Sequence, residues 1–214
     1  MAKTGRNKSA TLNDLEDFQG RGFEEEGEYE GLKIQGIRAS GLELSGLRFY
    51  DCLIEDTYLD QAKIKDVRFK NVRFMNCDLS NLKLEKALLE NVEFIKCRMT
   101  GFRATENVLK EVSFRDCQLK LSQFRFAKIK KATLDNCILE EADFYGAELE
   151  KAEFTGCVLM KAEFSASRLA DADFRSSNIA GLKIGTDSLK GAIIDPTQVN
   201  DLAWLLGAKI EWKK

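Results

Sequence analysis

Cys77, Cys97, Cys117, Cys137 and Cys157 stand at intervals of twenty residues, with Cys52 outside that series. Thiols in this number can ligate zinc or cycle through disulfides if a fold gathers them. The sequence gives neither chemistry its usual support, because no two cysteines form a CxxC pair and histidine is absent. The same absence removes Ser-His and Cys-His nucleophiles and the imidazole general base. There is no glycine-rich phosphate loop either, so no constellation carries catalysis, and no cofactor, metal or small-molecule substrate is expected.

The meaning of the spacing depends on the elements that carry it. The chain has 214 residues, enough for one domain, with 44% hydrophobic and 32% charged residues and a single proline, a composition that forms a core. Net charge is −2, which does not indicate a polyanion binder. No apolar run reads as a signal or a membrane span, so the expected setting is the cytosol, where the thiols stay reduced.

The sequence repeats every five residues. Stepping by five from Tyr29 to Ile194 meets 34 positions, all of them apolar. At random this would happen with odds of about 10⁻¹². A second column lies two residues earlier and favours compact residues, as at Cys52, Ala62, Val67, Val72 and Cys77. The three intervening positions hold nearly all the charge. Neither a helix of period 3.6 nor a strand of period 2 keeps a five-residue repeat on one face. A short side that turns a corner every five residues does.

Like residues recur every twenty, which makes four sides per coil. Phe74, Phe94 and Phe114 follow that interval, as do Phe154 and Phe174 and the five cysteines. About eight coils stacked at the usual strand spacing of about 4.8 Å would form a solid-cored rod. Thiols at that spacing, pointing in parallel, fall outside disulfide geometry and cannot surround a tetrahedral zinc. The cysteines therefore read as core packing.

One coil cannot stand alone, so the ends need caps. Residues 1–28 read as a polar, partly disordered segment, 29–194 as the repeat, and 195–214 as a capping helix and tail. Leu32, Ile37, Leu42 and Leu47 put large residues in the compact column, as a closing first coil would. Asp195-Pro196 reads as a helix start and Gly207 as its stop, which predicts a helix from Pro196 to Leu206. Val199, Leu202, Ala203 and Leu206 share the face that would plug the last coil. Trp204, Leu205, Ile210 and Trp212 are then left for a homodimer interface, unless the last segment folds back over them.

Other positions read as structural. Phe102 with Ala104 exchanges the usual sizes at conserved volume. Asn107 and Asp187 are polar at inward positions and need hydrogen-bond partners. Glu24, Glu25, Glu26, Glu28 and Glu30 form an acidic, solvated run. A cationic stripe that includes Arg48, Lys110, Lys128, Lys131 and Arg168 is interleaved with carboxylates, so nucleic acid is not an expected partner.

With Cys77-Asp78-Leu79-Ser80-Asn81, Ala142-Asp143-Phe144 and Ala172-Asp173-Phe174, the sequence resembles the pentapeptide repeat family and its loose A(D/N)LXX pattern. The resemblance implies an all-β, right-handed quadrilateral β-helix with a short C-terminal helix, which in several bacterial members makes a dimer. It also points to the quinolone-resistance and mycobacterial fluoroquinolone-resistance branch, non-enzymatic proteins that bind DNA gyrase or topoisomerase IV and imitate DNA. Two features depart from that branch. The five-residue register carries none of the projecting loops of many quinolone-resistance members, although the mycobacterial protein also lacks large loops, and from Tyr29 to Ile194 there are 26 basic and 25 acidic residues, a charge unlike that of DNA. A general scaffold or adaptor with an unrelated protein partner is the alternative.

Overall fold

The computed structural model describes residues 15–206. Each five-residue side repeats one local plan. In Val72-Arg73-Phe74-Met75-Asn76, Val72 and Phe74 are buried, Arg73 and Met75 lie half-buried outside, and Asn76 turns the corner at φ 55°. Left-handed backbone costs most residues energy through Cβ crowding, and asparagine, aspartate and glycine tolerate it best. That explains Asp51, Asn71 and Asn91 at the same corner of three successive coils. Their side chains also form a ladder, Asn91 donating to Asn71 at 2.9 Å and Asn71 to Asp51 at 2.8 Å.

Coils stack through parallel ladders in which each residue faces the one twenty positions on, as in Phe74, Phe94 and Phe114. An eleven-stranded sheet and a three-stranded sheet result. Arg68–Met75, Leu88–Ile95 and Val108–Arg115 are long enough to run through a corner. The interior is solid. Phe74, Phe94 and Phe114 stack with centroids 5.0 Å apart and planes within 8°. Phe154 and Phe174 stack likewise at 4.9 Å, after Leu134 interrupts their column. Rings of adjacent columns meet edge to face, Phe154 against Phe164 at 86°. Phe102 and Ala104 are both buried, with Phe102 against Phe94 and Phe124.

The rod has about seven turns, and the twenty-residue register is kept to its end, where Asp173 still pairs with Ile193. Thr186–Leu189 form a helical turn that takes Asp187 off the core face. Its side chain is 91% exposed and pairs with Lys190 at 2.8 Å, while Ser188 is buried instead.

Both ends close differently from the simple repeat. At the N-terminal end Ile37 and Leu47 are buried, but Leu42 is 44% exposed and closes nothing. The opening is covered by the segment preceding the repeat. Glu16–Asp17 pair in parallel with Leu32–Lys33, Phe23 meets Tyr29 and Phe49 edge-on, and Phe18 meets Tyr29. At the other end residues 196–206 are helical but mixed, 3₁₀ at Pro196–Gln198, α at Val199–Leu202 and 3₁₀ at Ala203–Leu206. The tighter 3₁₀ turns rotate the faces relative to a pure α-helix. Leu202 is buried as the plug, and Val199 is 53% exposed. Gln198 does what the apolar face does not: it donates to the carbonyls of Phe174 at 2.8 Å and Ser177 at 2.7 Å.

Candidate interaction surfaces

All six cysteines are free and buried. Each thiol of the series donates to the carbonyl of a residue one coil below, Cys77 to Ile54 at 3.4 Å, Cys97 to Phe74 at 3.6 Å and Cys117 to Phe94 at 3.4 Å. Cys137 and Cys157 do the same toward Phe114 and Leu134. Burial pushes the Cys52 thiol up from its ordinary value. A neutral buried thiol is a poor nucleophile and a poor metal ligand. Among the described residues no cluster of cysteine and carboxylate side chains is placed to hold a metal. Asn107 occupies the same compact position on another side. It donates to Leu84 at 2.9 Å and accepts from the Ala87 amide at 2.8 Å.

What remains is surface. Opposite charges are stacked one coil apart: Arg73 with Glu93 at 2.7 Å, Lys120 with Glu140 at 2.9 Å, Lys131 with Glu111 at 2.6 Å and Arg168 with Glu148 at 2.8 Å. Exposed pairs of this kind add little stability, but they cancel the field of each side. Of the cationic stripe, Lys131 and Arg168 are paired in this way and Arg48 pairs with Asp66 at 3.5 Å, whereas Lys110 and Lys128 make no ion pair among the described residues. In the acidic run, Glu25 accepts from the backbone of Ser45 at 3.1 Å, which ties it to the first coil.

The C-terminal end carries an apolar groove of about 390 Å³ between the last turn and the helical segment, lined by Leu189, Ile194, Val199, Leu202 and Leu205. Trp204 stands outside it, 51% exposed, while Leu205 is partly buried against the core. Ile210 and Trp212 lie outside the described residues. No helix among the described residues is long and apolar enough to cross a membrane.

Comparison with known proteins agrees with this geometry. A family model described as a pentapeptide repeat region matches residues 67–144 and 127–204, and a model of pentapeptide repeats matches residues 43–81. Among curated proteins none matches the chain. The fold is similar to that of a trypsin-treated variant of QnrB1, a plasmid-mediated fluoroquinolone resistance protein. That likeness has 20% identity and a TM-score of 0.53, and it covers 92% of this chain and 96% of that one. HetL, a pentapeptide repeat protein involved in heterocyst differentiation regulation in the cyanobacterium Nostoc, matches at 16% identity. It covers 78% of this chain and 84% of its own, with a TM-score of 0.36. On the matched residues and the five-residue architecture they share, the chain belongs to the pentapeptide repeat family.

Proposed function

We propose that this protein is a non-enzymatic cytosolic rod that acts by presenting its sides to another protein, and that the partner is a type II DNA topoisomerase, gyrase first. The observation that carries the reading is a filled interior, which leaves the surface as the working part. The likeness to a fluoroquinolone resistance protein over 92% of the chain supports the choice of partner. The working form is a homodimer joined at the C-terminal end, where Val199 and Trp204 leave apolar surface beside the groove. Trp204, Leu205, Ile210 and Trp212 are the residues assigned to that contact. The reading requires no nucleic acid, membrane, cofactor or small-molecule substrate.

A scaffold or adaptor with a different protein partner is the second reading. The cancelling charge pairs favour it, because a surface near neutrality imitates DNA poorly. Equilibrium binding of the purified protein to purified gyrase separates the two. Saturable binding that duplex DNA competes away supports the topoisomerase reading, and absence of binding leaves the adaptor.

A further inference from the structure

We propose that the side of the rod from Leu121 to Phe126 is a docking face for a protein segment that combines apolar side chains with a carboxylate. The inference rests on the reading that the rod acts on a protein. Among the described residues, twenty-four other than glycine have positive φ, nearly all polar or charged, and Leu121 (φ 59°) and Phe126 (φ 54°) are the only large apolar ones of these. They occupy consecutive corners, so they form the two edges of one side. Leu121 is 47% exposed and Phe126 48%. A bulky residue in left-handed backbone is strained, and half of its apolar surface here gains nothing from the core.

The Phe126 ring is nonetheless held in place. It lies over Gly146, where an added Cβ would come 2.6 Å from ring carbons. It meets Tyr145 edge-on at 5.5 Å. Arg125 stacks on Tyr145 at 4.6 Å and is anchored by Asp143 at 2.9 Å. A rigid aromatic beside an arginine, paid for in backbone strain, is the kind of anchor that dominates protein interfaces. Between the two edges lie Gln123 and Arg125, and Arg103 sits one coil below in register with Gln123. Arg103 is exposed and makes no ion pair among the described residues, so it is placed to take a partner's carboxylate. Arg125 covers one face of Tyr145.

The test uses the double variant Leu121→Asn with Phe126→Asn, since asparagine already occupies several of these corners. The first probe is a short synthetic peptide alternating glutamate and leucine, followed by amide NMR shifts. Shifts should centre on residues 103, 121–126 and 145, and affinity should fall about tenfold or more in the double variant and in Arg103→Glu. The double variant should melt at the same or a higher temperature than the parent. Shifts that are absent, centred on the C-terminal groove or indifferent to the variants overturn the proposal, as does a clear drop in melting temperature. Purified gyrase is the second probe. Equal binding of gyrase to parent and double variant removes this face and leaves the topoisomerase reading standing. Peptide shifts on this face without gyrase binding do the reverse.

Discussion

The Asn107 carboxamide donates to the Leu84 carbonyl at 2.9 Å, one coil below and twenty-three residues back. The five stacked thiols make the same connection, as does Ser177 to Phe154 at 2.9 Å. In each case a compact inward residue supplies a donor to a carbonyl one coil below. Replacing Asn107 with Ala orphans both the Leu84 carbonyl and the Ala87 amide. The expected loss is roughly 2–6 kcal/mol, from about 1–3 for each of the two buried unpaired groups, read from denaturant midpoints. A loss below about 0.5 kcal/mol would show that these groups do not depend on the side chain.

The cysteine series is expected to be chemically silent while folded. Thiol titration should label none rapidly in the native protein and six after denaturation without reductant. The raised Cys52 value has a definite sign. The folded state keeps a proton that the unfolded thiol loses near about 8.5, so this stabilisation is complete below that pH and is lost as pH rises through the folded value. Urea midpoints that climb between neutral and alkaline pH would contradict it.

The phenylalanine columns predict an asymmetry between two substitutions. Phe94→Ala opens a void between Phe74 and Phe114 and should cost about 3–5 kcal/mol. Phe94→Leu should cost less than about 1.5 kcal/mol, since Leu134 already occupies that column. Calorimetry of the two variants decides whether ring volume or stacking matters.

Acid should weaken the rod. Glu85 is held below the usual carboxylate range by its hydrogen bond from Lys83, Glu140 by Lys120, and Asp173 by Arg175. Depressed carboxylates contribute stability above their unfolded values near about 4, and that contribution is lost as pH falls through the folded ones. Melting temperature should be flat across neutral pH and decline below that range.

The terminal cap rests on Gln198, which holds two carbonyls and accepts from the Asp195 amide at 2.8 Å. Gln198→Ala should speed hydrogen exchange around Phe174 and Ile179 and leave Phe74 and Phe94 unchanged. Uniform acceleration along the rod would mean that the coils unfold as one unit and that the end is not a separate weak point.

The rod itself was legible because Phe74, Phe94 and Phe114 repeat at a distance that only a four-sided coil turns into contact. The ends were less legible for the same reason. Phe18 and Phe23 lie before the five-residue register, so counting by five does not reach them. Val199 matched an α-helical face, but 3₁₀ turns on either side of its segment redirect it. Asp187 kept the inward spacing in sequence and lost it to one helical turn. Leu121 and Phe126 sit at corner positions, where hydrophobicity alone carries no periodic signal. Only the backbone shows that they are bulky residues in left-handed conformation.

DNA supercoiling by purified gyrase, with this protein titrated in and with or without a fluoroquinolone, is the decisive assay for action on a type II topoisomerase. Direct inhibition at micromolar protein, or recovery of supercoiling in the presence of the drug, is expected. No effect on gyrase or on topoisomerase IV would contradict it.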